Sequence, residues 1–106
     1  MLKHIVLFSF RETATPQEIQ NLFYLLGELK KTILEIQSYS YGKDCSVENL
    51  TKGFAHGCVM EFKDEKNRDA YLAHPAHTKL VEEVIHPLLK NGNESALVFD
   101  YFQPEF

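Results

Sequence analysis

Residues Leu2 to Phe10 alternate in character. His4, Val6, Phe8 and Phe10 share one side and Lys3, Ile5, Leu7 and Ser9 the other, a period of two that predicts a strand. The pattern then lengthens to a helical one. Thr15-Pro16-Gln17-Glu18 supplies an N-cap threonine, a proline suited to the first helical position and a glutamate placed to close a capping box. Ile19, Leu22, Phe23, Leu26, Leu29 and Ile33 follow at helical spacing. Ile36 to Lys43 predicts a second strand, with Tyr39 and Tyr41 on one face, and Asp44 to Gly53 reads as a polar loop. Phe54 to Phe62 alternates again: Phe54, His56, Cys58, Met60 and Phe62 oppose Ala55, Gly57, Val59 and Glu61. Asp64 opens a charged helix that runs through Tyr71 and meets Pro75. A new helical segment from about His77 carries Leu80, Val81, Val84, Ile85 and Leu88, and Pro87 kinks or ends it. Asn91-Gly92-Asn93 marks a turn before a last strand from Ala96 to Phe102.

The order βαββαβ is the split pattern of an α+β, ferredoxin-like fold. It predicts a four-stranded antiparallel sheet with helices on one face, in a single domain over residues 1–106. The first, third and last strands carry apolar residues on both faces. Ile5, Leu7, Ala55 and Val59 point away from the helices, and a bare apolar face of that size needs a partner. A homodimer joined through the outer sheet face is the expected assembly.

Charge narrows the partners. The chain carries 11 Lys and Arg against 15 Asp and Glu and no basic run on a predicted element, so nucleic acid is not an expected partner. Cys45 and Cys58 show neither CxxC spacing nor a disulfide framework, which fits a reduced, cytoplasmic chain. No apolar run approaches the roughly 20 residues that cross a bilayer, and MLKHIVLFSF is too short and too charged for a signal peptide. No membrane partner is expected.

Candidate chemistry gathers on the helix-facing side. His4 and His56 share that side with Val6, Phe8, Cys58 and Met60, and adjacent first and third strands make the two imidazoles candidate neighbours. The stretch YLAHPAH adds Tyr71, His74 and His77. Tyr71 and His74 are three apart and share a helix face; Pro75 disfavours helical geometry at His74. His77 then falls near the start of the next helix, where the positive end of the macrodipole favours neutral imidazole. Three readings fit this spacing. His77 acts as a general base while Tyr71 donates to a carbonyl; or His74 and His77 bind a metal, with His4 or His56; or the imidazoles cap a broken helix. Spacing leaves all three open.

The segments KHIVLFSF, GFAHGCVMEF, YLAHPAH and VFDYF together resemble the stress-responsive A/B-barrel domain, also called Dabb or the dimeric α/β-barrel. The resemblance implies a ferredoxin-like fold and a homodimer whose two sheets form an α+β barrel. A plant branch of the family is similar to polyketide cyclases of the olivetolic-acid type, which close a linear poly-β-keto thioester by aldol condensation. By motif match, His77 takes the role of base and Tyr71 assists at the carbonyl. His4 and His56 match pocket histidines and Phe23 a pocket wall; Val6, Phe8, Cys58 and His74 complete the candidate lining. The chain departs from the cyclases after His77, where LVEEVIHPLLKNGNESAL is longer. Antibiotic-biosynthesis monooxygenases share the fold and work without a cofactor. The function expected is cofactor-independent acid/base chemistry, of aldol or cyclase type, on a small hydrophobic carbonyl compound, with no metal. The alternative is a non-catalytic stress-associated or ligand-binding dimer.

Overall fold

The first helix begins where its sequence signals place it. In a computed structural model that describes residues 1–104, Thr15 Oγ1 accepts from the Glu18 amide at 3.1 Å and Glu18 Oε1 from the Thr15 amide at 3.0 Å. Pro16 opens α1 (Pro16–Glu28). The other elements are β1 (Leu2–Phe8), β2 (Ser38–Lys43), β3 (His56–Phe62), α2 (Glu65–Ala73), α3 (Pro75–Leu80), α4 (His86–Leu88) and β4 (Ala96–Phe102). The strands form one antiparallel sheet in the order β2-β3-β1-β4, the ferredoxin-like arrangement expected from the pattern.

Several boundaries differ from the sequence reading, each for a local reason. β1 stops at Phe8 because the chain beyond it is taken up by the segment before β4. The Ser9 amide donates to Ser95 O, the Lys90 amide to Ser9 O and the Arg11 amide to Leu88 O. Phe10 keeps only an isolated bridge to Leu89. β3 starts at His56 rather than Phe54, after Lys52 and Gly53 turn the chain through positive φ. α3 starts at Pro75, two residues earlier than expected. His74, extended as the residue before a proline must be, serves as C-cap of α2 and N-cap of α3.

Pro87 acts upstream as well as downstream. Lacking an amide hydrogen and crowding the carbonyl four residues earlier, it follows a widened π-helical turn at Val81–Ile85, where the His86 amide reaches back to Val81 O. The helix ends two residues later at an extended Leu89.

The helices cover one face of the sheet and divide it. α1 lies over the β2–β3 half, where the Tyr39 hydroxyl donates to Phe23 O at 2.8 Å and the rings of Phe23 and Tyr41 stack at 5.0 Å. α2 lies over β1 and β3. The core between the layers contains Leu2, Phe8, Met60 and Phe62 from the sheet, Leu22, Phe23 and Leu26 from α1, and Tyr71, Leu80 and Ile85 from the second helical region. Among the described residues, the opposite face bears no layer of its own. Ile5 pairs with Val59 and Phe99 across the strands, and Leu7 with Gly57 and Leu97; Leu97 and Phe99 are 43% and 58% exposed. Leu7 lies over Gly57, where an added Cβ would stand 2.6 Å from Leu7 Cδ2. Among the described residues, no helix is long and apolar enough to cross a membrane.

Candidate active site

A cavity of about 380 Å³ opens between the β1–β4 half of the sheet and the segment from α2 to α4. Its floor is His4, Val6, Phe8, Cys58, Met60 and Val98, and its helical wall includes Tyr71, His77, Val81 and Ile85. The volume lies in the range of small-molecule sites. Most of the lining is apolar, and the polar groups converge.

The break at Pro75 brings Tyr71 and His77 together, with ring centroids 4.4 Å apart. His77 Nδ1 lies 3.2 Å from Leu72 O. A carbonyl only accepts, so Nδ1 carries the hydrogen and neutral His77 presents a free lone pair at Nε2. Burial lowers the His77 pKa below its ordinary value; the bond to Leu72 works the other way, and His4 and His74 add to the lowering. The imidazole is thus held in the form that accepts a proton. Burial pushes the Tyr71 phenol well above its ordinary range, with a smaller contribution from Cys58. It stays protonated and able to donate. The Cys58 thiol, also buried, is pushed up to about 12, which makes it an inert part of the floor.

Across the cavity, His4 is only 5% exposed and bonds through Nδ1 to Asp100 Oδ1 at 2.7 Å. The other carboxylate oxygen, Oδ2, accepts from Arg68 Nη1 at 3.2 Å. The Tyr71 hydroxyl, His4 Nε2 and His77 Nε2 have no hydrogen-bond partner among the described residues. None is sealed in the interior without one, so each opens to the cavity it lines.

The structure divides the residues that the sequence grouped. Tyr71, His77, His4, Val6, Phe8 and Cys58 line this cavity. Phe23 and His56 do not; they line a separate depression of about 350 Å³ with Tyr41 and Lys43. The register explains the split. His4 faces Met60 and His56 faces Phe8, so the two imidazoles stand four residues apart along the ladder, about 13 Å. They are not neighbours. His74 lines neither space: its Nδ1 accepts from the Ala76 amide at 3.1 Å, as the helix-capping reading expects. His74 and His77 thus each give Nδ1 to the backbone. Among the described residues no group of three or more His, Cys, Asp or Glu comes together as metal ligands would. Sequence reasoning missed Arg68, His86 and Asp100, all in the cavity lining. Asp100 carried a signal: it is the one charged residue in ALVFDYF, on the same side as Val98.

The stress-responsive A/B barrel domain matches residues 2–103 of this sequence. The chain belongs to this family. Within the family it is 31% identical over 100 residues to the stress-response A/B barrel domain-containing protein HS1 of Arabidopsis thaliana, covering 94% of this chain and 87% of that protein. It is 24% identical over 100 residues to olivetolic acid cyclase of Cannabis sativa, covering 94% of both. Among solved structures, At3g17210 of Arabidopsis thaliana superposes with a TM-score of 0.90 at 29% identity, over 100% of this chain and 98% of that one. Two more distant structures share the fold. A dimeric ferredoxin-like protein of unknown function from Jannaschia sp. gives a TM-score of 0.85 at 22% identity, over 96% and 98% of the two chains. The hydroxynitrile lyase of Passiflora edulis gives 0.86 at 20%, over 99% and 94%.

Proposed function

We propose that this A/B-barrel protein binds a small, largely apolar carbonyl compound and removes a proton from the carbon next to the carbonyl, without a cofactor. His77 Nε2 is the base. The Tyr71 hydroxyl donates a hydrogen bond to the carbonyl oxygen as negative charge grows there. One observation carries this reading: Tyr71 is 3% exposed, yet its hydroxyl has no partner among the described residues and faces the cavity beside His77. The residue is held by its burial while its hydroxyl stays free to donate to a ligand in the cavity. The likeness to a protein named as a cyclase, and the fold shared with a hydroxynitrile lyase, are consistent with carbonyl chemistry in this cavity. The functional unit is a homodimer joined through the outer face, where exposed Leu97 and Phe99 lie beside Ile5 and Leu7.

Exchange of the α-protons of acetophenone in D₂O, followed by proton NMR, tests the reading. Wild-type protein is expected to accelerate exchange, and His77→Ala to abolish the acceleration. Equal exchange by both proteins, or none by either, defeats it. The mostly apolar lining supports a second reading, a ligand-binding dimer without chemistry; saturable binding of acetophenone with no exchange is its signature.

A further inference from the structure

The cavity holds a second polar pole, built from residues on three elements. His4 on β1 and Asp100 on β4 are directly paired across the sheet. Arg68 stands on α2, one turn before Tyr71. Asp100 uses both oxygens, Oδ1 to His4 Nδ1 at 2.7 Å and Oδ2 to Arg68 Nη1 at 3.2 Å, and Arg68 is steadied in turn by Asp69 through Nε and Nη2. The carboxylate is therefore fixed in plane and cannot turn away from the imidazole. An Nδ1–H bonded to Asp100 leaves Nε2 as the free end of the ring, and that end opens to the cavity. The His4 and Tyr71 ring centroids are 6.0 Å apart, so the two side chains border the same part of the cavity.

We infer that His4 is the proton donor that complements His77, and that Asp100 and Arg68 are positioning residues that aim it. The inference rests on the proton abstraction proposed above. His77 Nε2 takes the proton from the carbon next to the carbonyl. The electron pair of that C–H bond forms the new C=C bond, and the carbonyl π pair moves onto oxygen. An Nε2–H of His4, its other nitrogen held by Asp100, gives that oxygen its proton. The ligand leaves this step as an enol, with the abstracted proton on His77 Nε2 and His4 keeping the Nδ1–H bonded to Asp100. Exchange with water resets both rings.

Nitrogen-15 NMR of the imidazoles, with acetophenone as the probe, tests the assignment in wild-type protein, Asp100→Asn, Arg68→Met and Arg68→Lys. In wild type, His4 is expected to show a protonated Nδ1, and its Nε2 resonance to move as acetophenone saturates. Asp100→Asn should abolish that movement and lower kcat for α-proton exchange about tenfold, with KM within about twofold. Arg68→Met should act in the same direction and Arg68→Lys should restore part of the loss. Should Asp100→Asn fail to fold, the two Arg68 variants carry the comparison. An Nε2 resonance indifferent to the probe in wild type, or variants exchanging at the wild-type rate, overturns the inference. If wild type shows no exchange, the reading of the reaction fails on its own. The NMR then decides the pole separately: a probe-dependent Nε2 shift lost in the variants upholds it as a ligand contact, and no shift removes it.

Discussion

Tyr71 and His77 face each other across a helix break, with ring centroids 4.4 Å apart and planes inclined at 47°. In an unbroken helix, residues six apart point about 120° away from one another and stand about 9 Å apart along the axis. Pro75 and the extended His74 cancel both offsets, so the pair exists because the helix does not continue.

The Tyr71 hydroxyl makes no bond that folding depends on among the described residues. Tyr71→Phe should therefore leave urea-unfolding stability within about 0.5 kcal/mol of wild type while slowing acetophenone exchange by about 10- to 100-fold. A large loss of stability in parallel denaturation curves would mean that the hydroxyl bonds within the fold, contrary to the geometry.

Burial lowers the His77 pKa from 6.5, and the sign of the pH effect follows. Below that ordinary value the unfolded chain binds a proton at His77 that the folded chain does not, so stability falls as pH drops and levels off once the depressed folded value is passed. Comparison with His77→Gln isolates this group from His56, whose pKa burial also lowers. Between about pH 7 and pH 5, wild type should lose stability faster than the variant. Parallel pH dependence of the two unfolding free energies would place His77 in solvent. Exchange activity should decline on the same acidic side, as the base is protonated.

Gly57 is held small by its neighbours. A Cβ there would meet Leu7 Cδ2 at 2.6 Å and Val6 O at 3.2 Å. Leu7 can swing aside but the backbone oxygen cannot, so Gly57→Ala should cost about 1–3 kcal/mol, read from chemical denaturation. A neutral result would show that β1 and β3 shift apart easily.

Leu7→Glu places a charge in the middle of the outer face without touching the cavity. Sedimentation at micromolar concentration should find wild type as a dimer and this variant as a monomer with unchanged far-ultraviolet circular dichroism. A variant that still sediments as a dimer would move the interface elsewhere.

Much of this architecture was legible because its signals are local. The capping box at Thr15, the two-residue alternation of Leu2 to Phe8 and the break before Pro75 each depend on residues within a few positions of one another. The cavity depends on which half of a face a residue occupies, and alternation says nothing about that. His56 shares a side of the sheet with His4 but lies under α1, at the other end of the β1–β3 ladder, and so falls with Phe23 of α1 into a different depression. Arg68 was hidden for the opposite reason. In a charged helix an arginine reads as solvated, and only the fold brings it to Asp100, 32 residues further along the chain.

β4 runs past the cavity with its residues turned alternately to two sides. Leu97 and Phe99 face outward, while Val98 and Asp100 line the cavity. A second subunit that grips the first pair holds the same length of backbone that aims the second. Assembly and proton transfer would thus share one mechanical part, and a tilt of this strand by its partner would reach His4 through a single carboxylate.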